Sequence, residues 1–441
     1  MPITEKQVEK LYEYFLAGKG VTTDTRKIEE NQLFFALKGP NFNGNKYAKQ
    51  ALEKGASVVV IDDASEAIND QTFLVEDGLE ALQEMARHHR HQLKIPVIAI
   101  TGSNGKTTTK ELMKSVLATT FKTFATKGNL NNHIGVPLSL LSVTQEHQMA
   151  IIEMGANHQT EINQLCRIAE PNFGLITNIG LAHLEGFGGP EGVKKGKGEL
   201  FEFLDAFGGR SFVNMNDNSI ADLAYFMQKV STYGTGKFYN TNGKIAEATP
   251  YLKVSWEPRK SKHQQPISEP LLIETQLTGT YNLDNVLAAI AVGTRFKLTA
   301  ENIKEGIESY TPTNNRSQVV VKNGNTYIYD FYNANPSSTK AALNNLKELS
   351  NSKKIAILGD MLELGEFTKE EHQRTADLAI QNGIDLLVLV GPHFGEINQP
   401  PNVIHFGNST LAKGWFDKQV FENAAILIKG SRSLKMETIL E

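Results

Sequence analysis

The sequence predicts an α/β protein of three domains: a small α/β N-terminal domain, a central domain on a mostly parallel sheet, and a C-terminal Rossmann-like open α/β sheet. Three observations lead there. Short apolar runs alternate with helical patterns, the rhythm of βαβ units. One of those runs passes straight into a Gly-containing loop and then a helix. The length of 441 residues exceeds a single core and allows two to four domains at roughly 150 residues each.

Composition narrows the class. Hydrophobic residues make up 40% and charged residues 21%, a globular balance that excludes wholesale disorder. A net charge of -4 argues against a broad basic surface for nucleic acid. The start, MPITEKQVEKLYEYF, lacks the basic-then-apolar layout of a secretory signal. No run reaches the roughly 18 apolar residues of a spanning helix. The single cysteine, Cys166, cannot form an internal disulfide, which fits a reducing compartment. A cytoplasmic monomer without membrane insertion is expected.

The first block, residues 1–93, holds strand-like runs at Leu33–Leu37 and Ser57–Ile61. A helix follows near Leu79–Gln92, with Leu79, Leu82 and Met85 on one face. Its tail, His88-His89-Arg90-His91, reads as a basic helix end favoured by the macrodipole. The second block, 94–311, opens on Pro96–Ile100 and continues with runs at Ala150–Glu153, Leu175–Asn178 and Ser211–Asn214. Residues 231–275 break the rhythm, and polar Lys260–Pro270 reads as an exposed loop between short strands. The third block, 312–441, has runs at Tyr327–Tyr329, Ile355–Leu358, Leu386–Val390 and Ala425–Ile428, separated by helical patterns.

Gly102-Ser103-Asn104-Gly105-Lys106-Thr107-Thr108 joins Pro96–Ile100 to a helical pattern over Lys110–Thr120. Glycines let backbone N–H groups curl round phosphate oxygens, and a helix N-terminus adds its positive end. The segment reads as the phosphate loop of a P-loop-type ATPase domain. Lys106 would reach the β/γ phosphates and the Thr107 hydroxyl would ligate Mg²⁺. Only Ser103 and Asn104 separate the two glycines, fewer than in the general P-loop, so nucleotide-switch regulators fit poorly.

Glu153 ends a strand beside that loop, where open α/β sheets place ligands, and suits a Mg²⁺ ligand. His183, in the loop after the next strand, could bind a metal or be a polar surface group. Lys197 reads as part of a solvated cluster with Lys194 and Lys195. A carbamylated lysine there, an anion with two oxygens, would suit Mg²⁺ instead. Asn282 and Asn285 share a face at a helix start and could read adenine or ribose; Asn282 could equally be a cap. Arg316 suits the charge of a transferring γ-phosphate. Asp330, closing the run Tyr327–Tyr329, could accept from ribose hydroxyls. Leu358–Glu366 and Lys429–Arg432 also close strand-like runs.

Together these segments resemble the Mur ligase family over essentially the whole chain. The motifs that carry the resemblance are Thr101–Thr107, Glu153, Asn178–Glu185 and Lys197-Gly198-Glu199, with Gly128–Asn132 and Ile134–Pro137. In the first block they are Thr23-Asp24-Thr25-Arg26 and Leu33–Leu37. Tyr332–Pro336, Leu358–Gly365 and Lys429–Arg432 are similar to the family member that adds D-alanyl-D-alanine. Asn43-Gly44-Asn45 departs from the family's usual Asp-Gly-His, and Tyr281 stands where His is commoner.

The resemblance implies ATP-dependent amide formation, joining D-alanyl-D-alanine to UDP-N-acetylmuramoyl-tripeptide through an acyl phosphate. The first block would bind the UDP-sugar, the second ATP, and the third would complete the ATP site and bind the dipeptide. Lys106, Lys197, His183 and Arg316 would be catalytic. ATP would lie against Gly102, Ser103, Asn104, Gly105, Lys106, Thr107 and Thr108, with Asn282, Asn285, Arg316 and Asp330. Thr107 and Glu153 would hold one Mg²⁺; His183 and carbamylated Lys197 would hold a second. Substrate contacts would come from Thr23, Asp24 and Arg26, from Asn131, Asn132, Asn333 and Asn335, and from Ser431 and Arg432 on the dipeptide carboxylate. The third block is expected to close over the second. Two alternatives stay open: another Mur-type or folylpolyglutamate-type amino-acid ligase, and a nucleotide-dependent regulator that ligates nothing.

Overall fold

The structure, a computed structural model, describes residues 3–258, 270–312, 316–401 and 403–441. Of the loop expected over Lys260–Pro270, all but Pro270 lies outside the described residues. Three sheets follow one another along the chain, and a two-stranded hairpin, Lys38–Gly39 with Phe42–Asn43, projects from the first block.

The first sheet is parallel throughout: Val21–Thr22, Leu33–Phe35, Val58–Ile61 and Thr72–Leu74. Leu33–Phe35 and Val58–Ile61 are fully buried, which is why they read as unbroken apolar runs. Helix Glu5–Ala17 precedes the sheet, opened by a Thr4/Gln7 capping box. Helix Gly78–Gln92 starts where the Asp77 carboxylate accepts from the Leu79 and Glu80 amides. It buries Ala81, Leu82, Met85 and Ala86, while Leu79 is only half-buried.

The end of that helix corrects the sequence reading. His89 and Arg90 are buried, not solvated. The Arg90 guanidinium donates to the carbonyls of Ala169 (2.9 Å), Leu93 (3.0 Å) and Glu170 (3.0 Å), and to Asn172 Oδ1 (3.1 Å). Ala169 ends helix Glu161–Ala169 of the second block, whose last carbonyls have no partner within their own helix. Arg90 therefore satisfies the end of a neighbouring helix as well as the cap of its own. His89 is held between the Tyr12 hydroxyl (3.0 Å) and the Val143 carbonyl (2.8 Å). One apolar core runs without a break from Leu11, Leu33 and Leu82 to Val97, Ala150 and Leu200.

The second sheet has nine strands. Val97–Thr101 lies between Met149–Glu153 and Phe173–Ile176, parallel to both, with Thr123–Ala125 at the edge. On the other side Arg210–Asn214, Val230–Gly234 and Thr241–Glu247 extend it in parallel. Lys253–Trp256 and Leu271–Glu274 then add antiparallel strands. The stretch that interrupts the sequence rhythm thus continues the same sheet, and its last two strands, being antiparallel, need no crossover helix. Helices Lys106–Ala118 and Asn282–Arg295 share the core on one face through Leu112, Met113, Val286 and Leu287.

The third sheet has six strands. In spatial order they are Gln318–Lys322, Asn325–Asp330, Ala424–Lys429, Lys353–Gly359, Leu386–Val390 and Val403–Phe406. The first pair is antiparallel and the rest are parallel, with an apolar core on each face. This is the open α/β sheet expected. Among the described residues no helix is long and apolar enough to cross a membrane.

Candidate active site

The register of the central sheet builds the site. Ile100 pairs with Glu153 and Thr101 with Ile176, so three strands end together. Gly102 follows at φ 137°, and a Cβ there would lie 2.0 Å from Thr177 Oγ1. Gly105, at φ 75°, leads into helix Lys106–Ala118. A strap from the next strand fixes the loop between them. Thr177 Oγ1 and Asn178 Nδ2 donate to the Asn104 carbonyl at 2.6 and 2.9 Å, and Ser103 Oγ donates to Gly180 O at 3.0 Å. The Gly102–Gly105 loop is thus tied to the end of the neighbouring strand.

Lys106 Nζ folds back on the carbonyls of Gly102 (2.6 Å) and Ser103 (3.3 Å). Burial pushes its pKa down, Glu153 opposes this, and Arg316 adds to it. Thr107 Oγ1 donates to Glu153 Oε2 at 3.1 Å. Glu153 Oε1 accepts from Asn131 Nδ2 at 2.9 Å. A residue the sequence reading passed over completes this group. Lys110 is fully buried, donates to Thr126 O at 2.6 Å, and sits 3.5 Å from Glu153 Oε2. Its spacing, one helical turn beyond Lys106, was the one signal in the sequence, and it does not by itself tell a buried lysine from a solvated one.

Asn282 and Asn285 do lie on one face, but their amides brace the loop. Asn285 Nδ2 donates to Asn282 Oδ1 (2.8 Å), and Asn285 Oδ1 accepts from Thr109 Oγ1 (2.9 Å). Asn282 Nδ2 donates to Thr278 O (2.8 Å). Both still line the main cleft beside Gly105 and Lys106. Tyr281, the departure from the family pattern, donates its hydroxyl to Ser317 Oγ (2.7 Å), at the start of the third block.

The third sheet supplies the opposite wall. Asp330 and Lys429 are paired in register at the ends of adjacent strands, and Lys429 Nζ donates to Asp330 Oδ2 (2.8 Å) and to Asn333 O (3.0 Å). Arg316 stacks on Tyr332, with its guanidinium carbon 3.7 Å from the ring centroid. Its buried Nε has no hydrogen-bond partner among the described residues. Asn335 caps helix Pro336–Glu348, and its Nδ2 reaches across to Asn104 Oδ1 of the phosphate loop at 2.8 Å. Ser337 Oγ accepts from the Leu181 amide at 2.9 Å.

Two cavities result, each of about 710 Å³. The first gathers Lys106, Glu153, Asn285, Arg316 and Asp330, with Asn131 and Asn132 also in its lining. The second is lined by Thr107, Lys110, Arg316, Ser431 and Arg432 among others. His183 and Asn335 border both. Ser431 Oγ accepts from the Leu362 amide (3.3 Å), and the exposed Arg432 pairs with Glu437 (2.7 Å).

His183 and Lys197 are not joined by any hydrogen bond among the described residues. His183 Nδ1 contacts the Glu363 carboxylate, which the ring holds below the usual carboxylate range. Lys197 is buried behind the cleft rather than solvated, contrary to the reading as a surface charge cluster. Its Nζ donates to Ala156 O (3.1 Å) and lies 4.8 Å from the Phe187 ring centroid. Burial, then Lys106, pushes its pKa down to about 7, against Glu161 and Glu199. In the first block Asp24 accepts from Arg26 Nε and Nη2, each at 2.9 Å, and that pairing holds its carboxyl down at about 2. Thr23, Asp24 and Arg26 line neither cavity. Asn45 is fully buried and spends its amide on Asp62 (2.7 and 2.9 Å).

Three family models match in order along the chain: the Mur ligase family catalytic domain over 18–90, the Mur ligase middle domain over 100–293, and the Mur ligase glutamate ligase domain over 315–432. The chain belongs to the Mur ligase family. It is 34% identical over 434 residues to the UDP-N-acetylmuramoyl-tripeptide--D-alanyl-D-alanine ligase of Bacillus subtilis (strain 168), covering 96% of this chain and 92% of that one. The ligase of the same name from Escherichia coli (strain K12) is 33% identical over 427 residues, covering 95% and 92%. A crystal structure of MurF from Acinetobacter baumannii superposes with a TM-score of 0.85 at 29% identity, covering 100% of this chain and 98% of that one. The MurF ligase of Thermotoga maritima in complex with ADP gives 0.84 at 25% identity, covering 96% and 97%.

Proposed function

We infer that this Mur ligase is an ATP-dependent acid–D-amino-acid ligase of peptidoglycan synthesis, working in the cytoplasm. It joins D-alanyl-D-alanine to UDP-N-acetylmuramoyl-tripeptide and releases ADP and phosphate. The observation that carries this is the meeting of the phosphate loop and Glu153 with Arg316 and Asp330 of the third sheet around one cleft.

The reaction must bring two anions together, the tripeptide carboxylate and the triphosphate. A carboxylate oxygen attacks the γ-phosphorus, the bond to ADP breaks, and an acyl phosphate forms. The dipeptide amine then attacks the acyl carbon and phosphate leaves. Lys106 reaches the β/γ phosphates once it releases the Gly102 and Ser103 carbonyls. The Arg316 guanidinium, whose Nε has no partner among the described residues, offsets charge on the transferring group. Asn282 and Asn285 keep the loop in place, and Asp330 accepts from the ribose. The cleft between the second and third sheets excludes water that would hydrolyse the acyl phosphate. Ser431 and Arg432, in the lining of the second cavity, take the dipeptide's carboxylate.

The donor set fits Mg²⁺. Thr107 and Glu153 offer a hydroxyl and a carboxylate oxygen 3.1 Å apart. Among the described residues no three acidic, imidazole or thiol groups converge, and Mg²⁺ commonly takes one or two protein oxygens with phosphate and water for the rest. When bound, the ion neutralises phosphate charge and orients the leaving group. Lys197 fits carbamylation because burial leaves its amine largely able to lose its proton near neutrality. As a carbamate it and His183 would hold a second Mg²⁺. Thr23, Asp24 and Arg26 are the nucleotide-sugar contacts of this reading, with Asn131, Asn132, Asn333 and Asn335 closer to the chemistry.

The test is a coupled phosphate-release assay with UDP-N-acetylmuramoyl-tripeptides as acceptors. Release that requires both the tripeptide and D-alanyl-D-alanine is expected. ATP hydrolysis indifferent to both overturns the ligase reading.

A further inference from the structure

His183 has a precarious setting. It sits at φ 55° ahead of the single-turn helix Leu184–Phe187, without a side-chain cap bond. Its side chain is 23% exposed, and it borders both cavities. A ring so placed has two tautomers and several orientations open to it. Its one polar side-chain contact among the described residues is the carboxylate of Glu363, 180 residues away on the third block. Glu363 touches this segment twice: its carbonyl also accepts from the Glu185 amide at 3.3 Å. It holds a left-handed φ of 62°, and Gly365, at φ 56°, packs against the Glu185 side chain. Glu363 makes no other ion pair among the described residues.

We propose that Glu363 is the positioning residue for His183, accepting from Nδ1–H so that the Nε2 lone pair faces the cleft. A carboxylate accepts only, so a neutral ring in this contact must carry its proton on Nδ1. That leaves Nε2 free to bind a cation, the arrangement in which an outer carboxylate orients a ligating imidazole. Because Glu363 belongs to the third sheet's block, the site is complete only when that block is docked on the second. This rests on the reading of His183 as a metal-site residue, and its test is separable from that reading.

The full-length protein is labelled with ring-¹⁵N histidine and studied without Mg²⁺ at about pH 8, where an ordinary imidazole is neutral. The His183 signals are assigned by their loss in His183→Gln. In the wild type, His183 should be protonated at Nδ1 with Nε2 bare. Glu363→Ala should lose that state for a mixture of tautomers. Glu363→Gln, which keeps an acceptor oxygen, should retain most of it. The Glu363 side chain is 52% exposed, so neither change threatens folding. In phosphate-release assays, Glu363→Ala should raise the Mg²⁺ concentration for half-maximal rate about 10-fold or more, with Glu363→Gln recovering most of the loss. An unchanged tautomer in Glu363→Ala overturns the proposal. An altered tautomer with an active His183→Gln enzyme upholds the positioning and removes His183 from the metal site.

Discussion

Replacing Lys197 tests chemistry and packing at once. Its Nζ has one acceptor, Ala156 O at 3.1 Å, and an aromatic ring at 4.8 Å. With its pKa at about 7 instead of 10.5, about half of it is neutral at pH 7, roughly 1,600 times the fraction of an ordinary lysine. Only the neutral amine attacks CO₂. The N–C bond forms, a proton leaves to the buffer, and an anionic carbamate remains. As pH falls through 7 the ammonium form wins and the carbamate is lost. Wild-type phosphate release should therefore fall in CO₂-depleted buffer, recover with bicarbonate, and fall more steeply at pH 6 than at pH 8. Lys197→Ala should lose about 100-fold or more and be partly rescued by formate or acetate. The folded pKa lies below the unfolded one, so the protein is penalised as pH drops from 10.5 toward 7. The penalty reaches roughly 5 kcal/mol below pH 7. Lys197→Met should thus be inactive yet raise the urea midpoint at pH 6, with the gain fading by pH 10. Full activity of Lys197→Ala, with wild-type rates indifferent to CO₂, refutes this reasoning.

Lys106→Ala should cost about 3 kcal/mol or more of transition-state stabilisation, near or above 100-fold in kcat/KM. Near-wild-type turnover removes Lys106 from the mechanism. Gly102→Ala would place a Cβ 2.0 Å from Thr177 Oγ1 at a left-handed φ, so nucleotide binding by calorimetry should vanish while circular dichroism is unchanged. Unaltered binding refutes the rigid loop. Arg90→Met strips four neutral acceptors of a charged donor and should cost about 1–3 kcal/mol or more, read as a lower urea midpoint. An unmoved midpoint shows that water or neighbours replace it.

The places of the Gly102–Lys106 loop and of Glu153 at one edge of the sheet were legible because the first follows and the second ends a buried apolar strand, where position along the chain fixes position in the sheet. Lys110 was not, since a lysine after three threonines reads as a solvated helix charge until the helix is seen to bury that side. Glu363 was beyond reach for a different reason: its partner lies 180 residues away, and no local pattern encodes a contact between two blocks. The His88–His91 run does form a basic helix end, but the burial of His89 and Arg90 was missed, because the macrodipole of their own helix offers a sufficient local explanation while three of Arg90's four acceptors lie in the second block. Short strands either side of Lys260–Pro270 were expected, but not that Thr241–Glu247, Lys253–Trp256 and Leu271–Glu274 extend the central sheet, because short half-exposed strands without intervening helices carry no sign of which sheet they join.

Arg90 has a consequence for modularity. It binds four neutral oxygens and no carboxylate, and the apolar core beneath it passes from the first block into the second without interruption. Cutting the chain near residue 93 would strand a buried cation on one fragment and open carbonyls on the other. That change in sequence pattern is therefore not a seam in stability. Shuffling or grafting this N-terminal piece onto another ligase requires carrying its share of the neighbouring helix ends as well.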